Sequence, residues 1–126
     1  MKVQDLLAYK KGFKLAMDIF HLSKKFPKEE TYSLTDQIRR CSRSVCANLP
    51  EAYRKRRYPK HFISKLTGCD AENGETQTWL EFALACDYIS NESYNNLLKE
   101  SQDIANLLNY MILNPKNSVQ ANLNLK

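Results

Sequence analysis

The sequence predicts an all-α protein, an antiparallel up-down four-helix bundle, and three observations support this fold class. Apolar residues recur at steps of three and four through most of the 126-residue chain, which is the spacing of one helix face. Only three glycines and four prolines occur, so the elements are few and long. Hydrophobic residues make up 43% of the chain, enough for one core in a single domain. We expect the bundle to cover residues 1–114 and residues 115–126 to form a mobile tail.

Helix one is expected over about residues 4–26. Two adjacent apolar stripes run through this segment, one of which contains Phe13, Met17 and Phe20. Two stripes side by side are typical of a helix that buries a broad face in a bundle. Pro27 ends the pattern because proline cannot continue a helix without losing a hydrogen bond.

Helix two is predicted to begin after Ser33, which we interpret as the N-cap, with Asp36 or Gln37 completing a capping box. Its apolar stripe continues at helical spacing as far as residue 49. Pro50 falls inside this pattern, and we expect it to kink the helix or to mark a bend near Asn48.

Helix three is predicted from near Pro59, a favourable first-turn residue, to about Ile89. One of its faces is apolar, whereas the next carries polar residues such as Asn73 and Gln77 at the spacing of core positions. We therefore expect an amphipathic helix whose middle is polar.

Helix four is predicted to begin with Ser90 or Asn91 as its cap and to end before Pro115. Leucine, isoleucine and methionine residues recur at helical spacing between these limits. Four long helices with short links fit the antiparallel up-down arrangement.

Positive charge is concentrated in the first half of the chain. The net charge is +5, but residues 1–66 contain 16 basic and 6 acidic residues, whereas residues 67–126 contain 3 and 8. Such a dipolar chain can bind a polyanion with one part and pair with its own copies through the other. The composition is equally compatible with two charge sets that coat the outsides of different helices.

The densest basic segment is ANLPEAYRKRRYPKHFISK, residues 47–65. Arginine suits phosphate because its planar guanidinium donates two parallel hydrogen bonds. Tyr53, Tyr58 and Phe62 can stack on unpaired bases, whereas the alternative for the two tyrosines is ordinary packing at a helix junction. We predict a nucleic-acid surface formed by basic side chains of this segment and of helix two, namely Arg39, Arg40, Arg43, Arg54, Lys55, Arg56, Arg57, Lys60, His61 and Lys65.

We found no pattern that indicates catalysis. The chain lacks the glycine-rich phosphate loop, the dinucleotide fingerprint, the H-E-x-x-H pair and the G-x-S-x-G elbow. His21 and His61 are far apart in sequence, and no motif sets a base and a nucleophile around either of them. We therefore predict a protein without catalytic residues, cofactor or metal.

Two carboxylates three residues apart, Glu72 and Glu75, share a helical face. A two-metal site in a bundle also needs Glu-x-x-His pairs, and this segment supplies no histidine. We expect these carboxylates to pair with Arg39, Arg40 or Arg43 and so to fix the register of the bundle or of a subunit interface.

The four cysteines, Cys41, Cys46, Cys69 and Cys86, lie in apolar-periodic segments and are predicted to be small core residues. The start of the chain has no apolar run typical of a signal peptide, and no stretch approaches the roughly 20 apolar residues of a membrane span. We therefore expect a cytoplasmic protein with reduced thiols.

Residues 34–66, LTDQIRRCSRSVCANLPEAYRKRRYPKHFISKL, resemble a family of small bacterial four-helix-bundle proteins encoded in the intervening sequences of large-subunit ribosomal RNA genes. The resemblance covers about residues 4–112 and includes the proline-ended first helix (KKFPKEETYSL), the Q-I-R-R segment and the later NESYNNLL. Pro50 and Ala52 depart from the family pattern, which has a small helix former and a glycine there. We expect the bend between helices two and three, and the aim of residues 54–57, to differ accordingly.

The resemblance implies a bundle that assembles into a ring-like homo-oligomer, commonly a pentamer. A related accessory protein of diversity-generating retroelements presents a basic surface to nucleic acid and to a reverse transcriptase. By resemblance, Arg39, Arg40, Arg43 and residues 54–65 form that surface here. The sequence therefore predicts a non-catalytic homo-oligomer that binds structured RNA or DNA, with a protein-interaction module that docks an acidic partner protein as the alternative.

Overall fold

The computed structural model describes residues 2–116 and confirms the predicted all-α antiparallel four-helix bundle. The helices are α1 (Leu7–Ser23), α2 (Leu34–Arg54), α3 (Pro59–Ala85) and α4 (Asn91–Leu113), with short 3₁₀ turns at Val3–Asp5 and Lys28–Glu30. No strand occurs in this part of the chain. None of its helices has the length and apolar character needed to cross a membrane. Apart from Pro115 and Lys116, the predicted C-terminal tail lies outside the described residues.

The helices pack in a closed cycle, α1 on α2, α2 on α3, α3 on α4 and α4 on α1. Each helix contributes fully buried side chains to one core, among them Leu15, Ile38, Leu66 and Leu108. Burying a side chain of this size stabilises the fold by about 1.5–3 kcal/mol. The core therefore determines which face of each helix remains on the surface.

Three predicted helix ends are confirmed. Pro59 is the first residue of α3, and the Ser90 hydroxyl caps α4 by accepting the Ser93 amide at 3.1 Å. The last residue of α4 is Leu113, two before Pro115, because a proline disfavours helical backbone in the residue before it.

The end of α3 differs from the predicted Ile89. Asp87 has left-handed backbone (φ 61°), and the amides of Asp87 and Tyr88 bond to the carbonyls of Leu84 and Ala83. This is the Schellman arrangement, which ends α3 at Ala85.

The capping box predicted for α2 is wrong. Ser33 occupies the N-cap position, but its hydroxyl donates to Glu30 Oε1 at 2.6 Å and caps no amide. Glu30 instead accepts the Leu34 amide at 3.3 Å and the Tyr88 hydroxyl at 2.9 Å. The carboxylate of the preceding 3₁₀ turn therefore does the capping, and it also ties the start of α2 to the segment after α3.

The first helix is shorter than predicted at both ends. Leu6 has extended backbone and separates the Val3–Asp5 turn from α1. The helix ends at Ser23 and not at Pro27, since the next three amides bond to carbonyls three residues back.

By contrast, α2 continues for four residues beyond Pro50. An internal proline costs a helix about 3 kcal/mol. Leu49 and Ala52, each 1% exposed, flank the proline, and their burial offsets much of this cost.

The polar middle of α3 is buried against α4 and is fully hydrogen-bonded. Asn73 donates to the Ser101 carbonyl at 2.9 Å and accepts the Ser101 hydroxyl at 2.8 Å. Gln77 donates to the same hydroxyl oxygen at 2.9 Å. A buried polar group without a partner lowers the stability of the fold. Because a shift of α3 along α4 would break these bonds, they favour the observed register.

Three of the four cysteines are buried as predicted, but Cys86 is exposed because it caps the end of α3. All four are free thiols. Burial raises the pKa of Cys69 to about 12 and that of Cys41 to about 11. The buried thiols therefore remain protonated near neutral pH and act as small core residues.

Replacing Asn73 by alanine should lower the free energy of unfolding by about 1–3 kcal/mol, because the Ser101 hydroxyl loses its buried acceptor. Urea denaturation followed by circular dichroism measures the change. The matched control is Asn106→Ala at an exposed position of α4, which should stay within about 0.5 kcal/mol of the parent. Equal effects of the two substitutions would show that the buried bonds do not stabilise the fold.

The contact between Glu30 and Tyr88 should make stability depend on pH at both ends of the range. Hydrogen bonds from Ser33 and then Tyr88 lower the pKa of Glu30, so its stabilising effect is present above the ordinary carboxyl pKa and is lost as the pH falls. Hydrogen bonding to Glu30 raises the pKa of Tyr88 to about 12, so this contribution is complete below pH 10 and is lost as the pH rises towards 12.

Thermal unfolding at a series of pH values should therefore show a smaller loss of melting temperature at acid pH for Glu30→Gln than for the parent. The variant Glu29→Gln, at the exposed neighbouring position, should follow the parent curve. A Glu30→Gln curve parallel to the parent's would contradict the assignment.

Candidate nucleic-acid interface

The outer face of α2 carries a stripe of arginines. Residues on a helix advance by 100° and 1.5 Å each, so Arg43 and Arg54, eleven residues apart, lie within about 20° of each other and about 16 Å apart along the axis. Arg39 and Arg40 lie within about 60° of Arg43 on either side. Arg40, Arg43 and Arg54 are exposed and Arg39 is partly exposed. The structure thus brings the α2 arginines of the predicted site onto one side of the helix.

The rest of the predicted site surrounds the α2–α3 junction. Arg56, Arg57, Lys60 and His61 are exposed, whereas Lys55 and Lys65 are partly exposed. Four consecutive cations cannot all be buried on one helix face. In the structure α2 ends at the first of them, Arg54, and α3 begins at Pro59.

The three aromatic residues interleaved with these cations have different environments. Phe62 is 1% exposed and belongs to the core, so its interpretation as a base-stacking residue is wrong. Tyr53 is partly buried beneath the Arg56 guanidinium, whose carbon lies 4.0 Å from the ring centroid. Tyr58, 63% exposed beside His61, leaves its ring accessible to solvent.

Most of the ten predicted residues have no acidic partner. Within residues 2–116, Lys65 pairs with Glu51 at 3.2 Å and Arg40 with Asp36 at 4.0 Å, and the other eight form no ion pair. Both pairs are partly solvent-exposed and contribute at most about 1 kcal/mol each. The positive charge of this side of the protein is therefore largely uncompensated.

The predicted ion pairs of Glu72 and Glu75 with the α2 arginines are absent from the described part of the chain. These carboxylates line one open groove together with Arg40 and Arg43, but no pair approaches within 4 Å. Glu75 instead accepts the Trp79 indole N–H at 3.3 Å. The groove keeps the carboxylates and the arginines on opposite walls, so they do not fix the register of the helices.

A cluster of cations around Phe20 was missed by the sequence reasoning, which treated Phe20 only as a member of the apolar stripe of helix one. The charged groups of Lys24, Arg39 and Arg43 lie 4.7, 4.9 and 5.4 Å from the ring centroid. The spacing of four residues between Phe20 and Lys24 is the one signal that the sequence offered.

Two apolar patches lie on neighbouring sides of the bundle. The first, the α1 apolar face, is a groove with Arg43 at its edge, lined otherwise by Tyr9, Phe13, Ala16 and Met17 of α1 and by Cys46 and Ala47 of α2. Phe13 is 54% exposed there and stacks on Tyr9.

The second patch, the α3 apolar face, contains Tyr32, Trp79, Phe82 and Cys86. Phe82 is 53% exposed and its ring packs on that of Trp79. Exposed aromatic patches of this kind are typical of interaction surfaces.

Between Lys2 and Lys116, no group of three or more histidine, cysteine, aspartate or glutamate residues is placed to hold a metal ion.

The fold is a small four-helix bundle whose second helix carries exposed arginines. Comparison with protein families matches residues 4–110 to the 23S rRNA-intervening sequence proteins, and the chain belongs to that family. A search of curated proteins found no match. Among solved structures, the chain is similar to a protein of unknown function from the S23 ribosomal protein family of Bacteroides thetaiotaomicron VPI-5482. The two are 31% identical, with a TM-score of 0.77 over 86% of this chain and 97% of the other. The family resemblance expected from the sequence is therefore confirmed.

Proposed function

We propose that this protein is a cytoplasmic, non-catalytic homo-oligomer that binds structured RNA or DNA through the basic side of α2 and the α2–α3 junction. The observation that carries this proposal is the uncompensated charge: eight of the ten basic residues in question form no ion pair with the described residues. Unpaired arginines held at the surface are suited to phosphate, which accepts two hydrogen bonds from one guanidinium.

Other features support a nucleic-acid ligand over an acidic protein. The exposed ring of Tyr58 lies among the cations and is available to stack on an unpaired base. No acidic residue occurs from position 52 to position 69, so the junction offers little repulsion to a phosphate backbone. The name of the family refers to ribosomal RNA, which is consistent with an RNA ligand.

Self-association strengthens such binding. The family resemblance favours a homopentamer, and five copies at +5 each would carry a charge of about +25. The two apolar faces differ in composition. This supports a head-to-tail interface, in which one face of each subunit contacts the other face of the next. They lie on adjacent sides of the bundle, and residues of α2 contribute to both.

The quadruple variant Arg54→Gln, Lys55→Gln, Arg56→Gln and Arg57→Gln should bind nucleic acid more weakly and with less salt dependence. Each lost phosphate contact lowers the slope of log affinity against log salt by about one unit, so we expect a decrease of up to about four units. Fluorescence anisotropy with a labelled RNA hairpin and with a DNA duplex, across a salt series, measures this slope.

The control variant removes the same charge from exposed lysines outside this surface, by glutamine substitution at Lys2, Lys10, Lys99 and Lys116. It should retain most of the parent's affinity and slope. If both variants lost affinity and salt dependence to the same extent, binding would depend on the net charge of the protein and not on this surface. Absence of binding by the parent near physiological salt would favour the alternative, in which the basic side docks an acidic partner protein.

Self-association through the two apolar faces predicts a specific result on mixing. Phe13→Glu and Phe82→Glu each place a charge in one face, and each variant alone should be monomeric by analytical ultracentrifugation. An equimolar mixture should form a dimer, because each variant retains the face that the other lacks. Leu113→Glu, a similar change at an exposed leucine outside both faces, should leave the parent's mass unchanged.

A dimer-free mixture, or a parent protein that is itself monomeric, would contradict the head-to-tail arrangement. If only one of the two variants loses the assembly, the interface uses one face symmetrically. The mass of the parent in the same experiment tests the pentamer directly.

A further inference from the structure

The cluster around Phe20 has the geometry of a preformed anion site. Lys24 comes from the end of α1, and Arg39 and Arg43 come from successive turns of α2. Because all three charged groups lie within 5.4 Å of one ring centroid, no two of them are more than about 10 Å apart. Cations this close repel one another, and an anion bound among them would offset this repulsion.

Arg39 is held in a fixed orientation by a buried serine. Ser23, only 2% exposed, donates to the Phe20 carbonyl at 3.0 Å and accepts the Arg39 Nε–H at 2.7 Å. The guanidinium also lies over the Phe20 ring. Since Nε is occupied, the two terminal nitrogens remain, and they form the edge that donates two parallel hydrogen bonds to a phosphate.

The cluster has little local compensation. Within the part of the chain that the structure describes, Lys24, Arg39 and Arg43 form no ion pair. Lys24 occupies the C-cap of α1, where the negative end of the helix dipole favours a cation. This effect is worth about 0.3–1 kcal/mol, so it stabilises Lys24 but does not neutralise three charges.

We propose that Lys24, Arg39 and Arg43 form a binding site for one phosphate group of a nucleic-acid backbone, in which Ser23 and Phe20 orient the Arg39 guanidinium. The inference rests on the proposed function. It adds a defined phosphate site, the positioning residue Ser23, and the cation Lys24, which is not among the ten predicted residues.

The site also predicts the shortest ligand that binds fully. Arg43 and Arg54 are about 16 Å apart along the same side of α2. Phosphate groups bound at the two positions would therefore lie about 16 Å apart, and this is the span that a backbone has to cover. A backbone longer than this engages both the Phe20 cluster and the α2–α3 junction, whereas a shorter one engages a single position.

The proposal is tested by nuclear magnetic resonance titration of the full-length protein with inorganic phosphate at constant ionic strength. Saturable shifts are expected for the backbone amides of residues 20–24 and 39–43. Arg39→Gln should weaken this binding by about tenfold, whereas the same substitution at Arg54 should leave it unchanged. Arg39→Lys keeps the charge but removes the bidentate guanidinium donor, so it should weaken phosphate binding by several-fold.

Ser23→Ala separates positioning from charge, because it leaves all three cations in place. We expect phosphate affinity to fall by several-fold while the spectrum remains that of the folded protein. If the buried substitution impairs folding, Arg39→Lys tests the guanidinium instead, because it also leaves three positive charges in place. Equal phosphate affinity for the parent, Arg39→Gln and Arg54→Gln would overturn the site.

Anisotropy with the RNA hairpin distinguishes failure of this inference from failure of the proposed function. If the parent binds RNA and the double variant Arg39→Gln, Arg43→Gln binds with the parent's affinity and salt slope, the site is wrong and the proposed function stands. If the parent does not bind RNA or DNA at all, the proposed function fails, and the nucleic-acid ligand of this site fails with it. A loss of about one unit of slope in the double variant is the expected result, because the site binds one phosphate group.

Discussion

Burial of one face of α2 against both α1 and α3 is the constraint on which the rest of the structure depends. Ile38, Val45 and Leu49 recur along this face, and each is 1% exposed. With 3.6 residues per turn, a helix fixed in this way has no freedom to rotate, so the positions opposite the core must face solvent. Arg43 and Arg54 occupy two of these positions. Packing of the core therefore determines that these two arginines face solvent.

Much of the fold could be predicted because helix ends depend on local chemistry. Pro59 and Ser90 act through a missing amide hydrogen and a hydroxyl acceptor, which need no distant partner. The exposure of residues 54–57 was predictable for a similar reason, since no single helix face can bury four consecutive cations. These features are set by neighbours in sequence, and they appear in the structure where the sequence predicts them.

Several of the errors involve contacts between residues that are distant in sequence. Ser33 is a good N-cap by residue type, but Glu30 accepts its hydroxyl and also that of Tyr88, 58 residues away. The Phe20 cluster depends on a hydrogen bond between Arg39 and Ser23 on different helices. Phe62 has the same apolar and aromatic character whether it stacks on a base or fills a core. In each case the outcome depends on which helix lies opposite, and periodicity does not contain that information.

The continuity of α2 through Pro50 connects the two basic regions. Had the helix ended at the proline, the spacing and direction of Arg54 relative to Arg43 would depend on a loop. Burial of Leu49 and Ala52 keeps the helix intact, and an intact helix has a fixed rise of 1.5 Å per residue. The distance between the Phe20 cluster and the α2–α3 junction is therefore set by a rigid element. A ligand that is itself a regular array of phosphates is best matched by cations at a fixed spacing, because no conformational entropy is lost in arranging them.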